Sequence, residues 1–238
     1  MKRMTGAALV RELRAAGRSE GTVGMARFFK TGKGEYGEGD LFLGIATPVL
    51  RRIALQYREL GLEELQRVLA SKEHECRSAA LEILVAQYKR GDEVARRAIV
   101  DFYLGNTRFV NNWDLVDCSC GGILGEHLKT RSRGVLTRLA RSKSLWERRI
   151  AMVSTLALVR AGELEDALRI AEMLLEDEQD LMHKAVGWVL REVGDVDSAA
   201  LLRFLKTHYA RLPRTALRYA IEHFDGDARK RMLRGEFA

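Results

Sequence analysis

Residues 75–91 read E-C-R-S-A-A-L-E-I-L-V-A-Q-Y-K-R-G, an apolar stripe of helical length closed by Gly91. Two later stretches share its form: W-E-R-R-I-A-M-V-S-T-L-A-L-V-R-A-G at 146–162 and L-M-H-K-A-V-G-W-V-L-R-E-V-G at 181–194. A weaker copy, L-P-R-T-A-L-R-Y-A-I-E-H-F, follows at 212–224. Their spacing suits helix-pair repeats of roughly 35–45 residues. Such pairs bury their apolar faces only by stacking on neighbours. The expected fold is therefore all-α, a superhelical solenoid of antiparallel helix pairs forming one domain over residues 1–238, with inner helices lining a concave surface. Breaks between stripes fall at Gly61, Gly91, Gly105, Gly162 and Gly194. Near the start of each copy stands a base: Arg77, Arg149, Lys184 and Arg214. These form either a basic groove or the solvated ends of ordinary helices.

Ahead of the repeats, residues 5–16 read as a short amphipathic helix stopped by Gly17, and about 21–30 as a second carrying Val23, Met25, Phe28 and Phe29. The stretch T-G-K-G-E-Y-G-E-G-D, residues 31–40, is a hairpin or an ordered loop. It lacks the G-K-[ST] ending and preceding strand of a phosphate loop. Leu41 to Ile45 then packs, and Thr47-Pro48 opens the next helix with a capping hydroxyl and a proline at its first position.

Composition agrees with a helical chain. The 238 residues include two prolines, and 7% are aromatic. Lys and Arg number 40 against 33 Asp and Glu, a net charge of +7. That surplus points to an anionic partner, nucleic acid first, although solubility alone also accounts for it. Cys76, Cys118 and Cys120 make neither a disulfide framework nor a zinc-ligand pattern and read as reduced thiols. Histidines 74, 127, 183, 208 and 223 show no metal-ligand spacing, and Ser119 lacks a nucleophile elbow. No apolar run approaches a membrane span, and the N-terminus acquires charges too early for a signal peptide. A soluble cytoplasmic protein without a metal or cofactor is expected.

Residues 110–127, V-N-N-W-D-L-V-D-C-S-C-G-G-I-L-G-E-H, hold the candidate chemistry. Trp113 and Asp117 are four apart and share one helix face. Asn111 or Asn112 caps that helix, and Asp114 sits in its first turn, where the helix dipole explains it. Asp117 lacks that explanation. It lies a turn deeper on what reads as the apolar stripe, either as a buried acid with a partner or as a working group. Trp188 follows Gly187, which clears space ahead of the ring, and Trp146 reads as core.

W-D-L-V-D at 113–117, W-E-R-R-I-A at 146–151 and K-A-V-G-W-V-L-R-E at 184–192 together resemble the AlkD family of alkylpurine DNA glycosylases. A-R-F-F-K at 26–30 and L-F-L-G-I-A-T-P at 41–48 match that family's N-terminal region, so the resemblance covers roughly residues 25 to 225. It implies a superhelix of HEAT-like helix pairs. It also implies hydrolysis of the N-glycosidic bond of N3-methyladenine and N7-methylguanine in duplex DNA, leaving an abasic site. Asp117 matches the family's catalytic aspartate, Trp113 and Trp188 the tryptophans flanking the lesion, and Arg149 the arginine on the DNA backbone. Phe28, taken with these as a DNA- or lesion-binding residue, stands where the best-known member's pattern has a tyrosine, and Ala46 replaces a glutamine. The implied partner is double-stranded DNA carrying alkylated bases, bound by a monomer. Other relatives bind distorted or branched DNA without excision, which is the alternative reading. For a glycosylase, Trp113, Asp117, Arg149 and Trp188 should converge on one concave basic surface.

Overall fold

A computed structural model describes residues 4–237; residues 1–3 and 238 of the expected domain lie outside the described residues. The all-α expectation holds. Among the described residues no strand forms, and the only β-type pairing is an isolated bridge between Leu41 and Glu73. The chain divides into two compact units after Ile123.

The first unit carries α1 (Gly6–Ala16), α2 (Ser19–Phe28), α3 (Thr47–Gln56), α4 (Leu62–Leu69), α5 (His74–Arg90), α6 (Glu93–Gly105) and α7 (Trp113–Cys120). Helix α5 is its centre, touching α1, α3, α4, α6 and α7. It is buried over most of its circumference, with a half-exposed stripe at Ser78, Glu82 and Val85, which suits a helix with several neighbours. Ala79 and Ala80 allow close approach, while Leu81, Ile83 and Leu84 are wholly enclosed. Each enclosed leucine contributes about 1.5–3 kcal/mol relative to exposure. Three polar residues are also buried at the start of α5: His74, Glu75 and Arg77.

The buried Glu75 explains how residues 41–45 pack. Its carboxylate accepts from the backbone N–H groups of Leu43 (2.9 Å), Gly44 (2.8 Å) and Ile45 (3.2 Å). Residues 31–40 form an ordered loop rather than a hairpin. Glu35 and Glu38 each accept a backbone N–H at 2.8 Å, from Gly32 and Gly34. Gly37 passes so close to Phe29 that a Cβ there would lie 2.3 Å from the Phe29 carbonyl. Only glycine fits. Thr47 is the first residue of α3 and its hydroxyl caps nothing; Ala46 holds the cap position, and Pro48 sits in the first turn.

The second unit carries α8 (Glu126–Leu128), α9 (Gly134–Ala140), α10 (Leu145–Ser154), α11 (Leu156–Val159), α12 (Glu165–Met173), α13 (Asp180–Val196), α14 (Ser198–His208), α15 (Arg214–Ala220) and α16 (Gly226–Leu233). Helix α13 is central here, packed on α10, α11, α12, α14 and α15. Gly91 closes α5, its N–H donating to the Gln87 carbonyl at 2.8 Å. Gly194, expected as a break, lies inside α13. The helix runs on to Val196 and stops at Asp197, whose side chain caps α14 through Ala200 N at 2.9 Å. Gly194 instead makes room for Leu201, which a Cβ would approach to 2.5 Å.

Candidate functional site

Helix α7 starts where the sequence places it, with Asn112 as cap. The Asn112 side-chain oxygen accepts from Trp113 N at 2.8 Å, and its Nδ2 donates to Asp40 Oδ2 at 3.4 Å. Leu115, Val116, Ser119 and Cys120 form the buried face of α7. Trp113, Asp114, Asp117 and Cys118 form the half-exposed one. The apolar stripe therefore points away from Asp117, and the carboxylate lies one turn beyond Trp113 on the partly open side. Burial first, then surrounding negative charge that includes Asp117, holds the Tyr103 phenol and Cys118 thiol well above their usual ranges. Both stay protonated, so neither offers a nucleophile.

The Trp113 ring stacks on Phe29 (centroids 5.5 Å apart, planes at 20°) and meets Phe28 edge-on at 5.7 Å. Phe29 stacks in turn on Phe42 at 5.0 Å, and Phe42 on His74 at 4.7 Å. With Met25, Ile45 and Leu50 these rings wall a cavity of ≈ 390 Å³. Phe28 is the open member, 64% exposed. An exposed phenylalanine beside a half-buried tryptophan is a surface suited to stacking against an aromatic ligand.

Behind the rings lies a charged cluster. His74 Nδ1 stands 3.1 Å from Asp40 Oδ2 and its Nε2 2.8 Å from Asp114 Oδ2. Arg77 Nη2 pairs with Asp40 Oδ1 at 2.7 Å. His74, Asp40 and Arg77 are almost wholly enclosed. Burial alone would push the His74 imidazole down. Hydrogen bonds to Asp114 and Asp40 overcome it and hold the ring above its ordinary range. Burial would likewise raise Asp40, yet its hydrogen bond from His74 and the charge of Arg77 hold it low. The two acids address opposite ring nitrogens, and among the described residues no group of three or more His, Cys, Asp or Glu side chains is placed to hold a metal ion.

In the second unit, Arg149 is 5% exposed and its Nη1 donates to the Leu181 carbonyl at 2.8 Å, tying α10 to the first turn of α13. Trp188 lies seven residues further, two turns along the same side of α13. Its ring is half-buried, with Nε1 donating to Glu192 at 3.1 Å. Gly187 stands where α13 meets α15. A Cβ there would lie 2.5 Å from both the Ala216 carbonyl and Tyr219 Cβ, so it sets the approach of α13 to α15.

Of the four bases read either as a basic groove or as solvated helix ends, Arg77 and Arg149 are buried, while Lys184 and Arg214 stay in contact with solvent. Arg77 is locked in its buried pair, and Arg149 is enclosed. Lys184 pairs with Asp180 at 2.8 Å, and Arg214 donates to the Leu233 carbonyl at 2.7 Å. The first unit thus brings Phe28 and Trp113 into contact and sets Asp117 a turn away, while the second links Arg149 to the helix of Trp188. His74, Asp40, Phe29, Phe42 and Glu75 were not singled out by sequence. Asp114 was assigned only a helix-dipole role. No spacing signal marks their meeting, because His74 lies 34 and 40 residues from the acids it touches.

No helix among the described residues is long and apolar enough to cross a membrane. No curated protein matches the chain. Among solved structures it is similar to one described as "Predicted DNA alkylation repair enzyme from Enterococcus faecalis", at 18% identity and a TM-score of 0.70, covering 88% of this chain and 97% of that one. That likeness concerns the fold. The family model described as DNA alkylation repair enzyme matches residues 9–224, nearly the whole sequence, and the chain belongs to this family.

Proposed function

We propose that this protein is a monofunctional DNA glycosylase. In this reading it hydrolyses the N-glycosidic bond of cationic alkylated purines, N3-methyladenine and N7-methylguanine, in duplex DNA and leaves an abasic site. It works as a monomer in the cytosol, built of HEAT-like helix pairs and needing no cofactor. The observation that carries the reading is the open face of α7, a carboxylate one turn from a tryptophan whose neighbour Phe28 is exposed.

The chemistry asks little else of the protein. Alkylation leaves the purine positively charged, so it departs as a neutral base without a general acid. The sugar then acquires oxocarbenium character. A fixed carboxylate at Asp117 stabilises that charge and orients the attacking water, help aimed at the transition state. Trp113 and Trp188 offer π-faces to the cationic nucleotide, each contact contributing about 0.5–2 kcal/mol. Phe28 supplies a further ring. Arg149 ties α10 to the first turn of the Trp188 helix, and a contact with a DNA phosphate is also assigned to it.

The test is release of free base from a duplex containing N7-methylguanine. Wild type should release it. Asp117→Asn should slow release about 100-fold or more while duplex binding persists, as expected for loss of a group that acts on developing charge. Equal release by both proteins would remove Asp117 from this role. Binding of branched DNA with no release from any alkylated duplex would favour the non-catalytic alternative.

A further inference from the structure

From the charged cluster behind the aromatic cavity we infer that His74 is a positioning residue for base excision, acting as an imidazolium that fixes the first turn of α7. The inference rests on the glycosylase reading above. Helix α7 is held at its start by two linked attachments. Asp40 takes the Asn112 cap through Nδ2 and His74 through Nδ1; Asp114, the second residue of the helix, takes His74 Nε2. Trp113 lies between these two anchored residues, and Asp117 follows one turn later.

Both ring nitrogens face carboxylate oxygens. A charged imidazolium donates to both acids. A neutral imidazole donates to one and turns a lone pair on the other. The groups facing His74 are Asp40 from the 31–40 loop, Asp114 from α7 and Arg77 from its own helix, whose Nη2 lies 3.5 Å from Nδ1. Two acids and two bases make the charged cluster neutral. Arg77 and the N-terminus of α5 oppose the imidazolium; the acids outweigh them. Phe29, which stacks on Trp113, and Phe42, which stacks on Phe29, both lie against His74, so the cluster also backs the ring assembly. Loss of the ring proton frees one of the two attachments of α7. A shift of about 1 Å in a reacting group is enough to cost on the order of 100-fold in rate.

Single-turnover release of N7-methylguanine is measured from pH 5.5 to 9 for wild type, His74→Gln and Asp114→Asn, with duplex affinity measured beside it. Wild-type release should fall as pH rises through the raised His74 value. Asp114→Asn should move that fall to lower pH, because one carboxylate is gone. His74→Gln should be slower by roughly ten- to a hundred-fold at pH 6, lack the fall, and bind duplex within about three-fold of wild type. Release by His74→Gln at the wild-type rate with the wild-type pH profile overturns the role of His74 and leaves the glycosylase reading intact. Loss of binding in proportion to release also overturns it. If His74→Gln does not fold, the wild-type and Asp114→Asn profiles decide alone, and coincident profiles overturn the inference. A wild type that releases no base at any pH overturns both.

Discussion

Asp114 Oδ2 lies 2.8 Å from His74 Nε2, joining the first turn of α7 to the first turn of α5 across 40 residues of chain. The contact belongs to a buried network, and removing one member of such a network leaves the others uncompensated. Its two titrating members respond to pH in opposite senses. His74 is raised, so its stabilisation is complete below about 6.5, its ordinary value, and is lost as pH climbs through the raised value. Asp40 is lowered, so its stabilisation is complete above about 3.9, the ordinary value, and is lost as pH drops through the lowered one. The network should therefore stabilise most between about pH 4 and 6.5. Urea midpoints at pH 6 and 9 should differ more for wild type than for His74→Gln; equal differences would show that His74 does not couple to folding.

Several helices were legible in the sequence because they carry their own apolar stripe and stop, whereas the 146–162 stripe, read as one length, breaks at Thr155 into α10 and α11. Gly17 and Gly91 end helices as read, and Asn112 caps α7. Within α7 the spacing of Trp113 and Asp117 placed both on one face, but which face met the core depended on Leu115 and Val116 packing inward. Gly194 misled because a glycine late in a helix looks like a terminator; here it yields space to Leu201. The aromatic cavity and the His74 cluster were not legible, since their members come from α2 and its C-terminal end, the 40–45 segment, α3, α5 and α7. Only the folded backbone brings them together.

The Arg149–Leu181 hydrogen bond yields a second prediction. A buried guanidinium bonded to a backbone carbonyl is worth roughly 1.5–3 kcal/mol, so Arg149→Ala should lower unfolding stability by about that amount. If Arg149 also meets a phosphate, Arg149→Ala should lessen the slope of log affinity against log salt by about one unit. Denaturant unfolding and binding titrations at several salt concentrations separate the two contributions. An unchanged slope with lowered stability would confine Arg149 to holding α13.

Gly187 gives a third. Replacing it with alanine sets a methyl group 2.5 Å from the Ala216 carbonyl and from Tyr219 Cβ, so α13 and α15 must move apart. Overpacking of this kind costs about 1–3 kcal/mol. Gly187→Ala should shift the urea midpoint downward by the corresponding amount and disturb the neighbouring Trp188. Full wild-type stability would mean that the two helices adjust freely, and the close approach would then have no energetic role.

The last prediction concerns Phe28, where stability and function should separate. Its side chain is largely solvent-facing and touches Phe29 and Trp113 only through ring edges. Removing a side chain so exposed should change folding free energy by no more than about 0.5 kcal/mol. A protein ring stacked on a nucleotide base is worth about 1–3 kcal/mol. Phe28→Ala should therefore keep the wild-type urea midpoint while losing roughly 5- to 150-fold in release of N7-methylguanine at limiting enzyme. Phe28→Tyr, which keeps the ring, should restore most of that loss. Wild-type release by Phe28→Ala would show that the exposed ring does not meet the substrate, and Trp113 alone would then carry the aromatic contact on this side of α7.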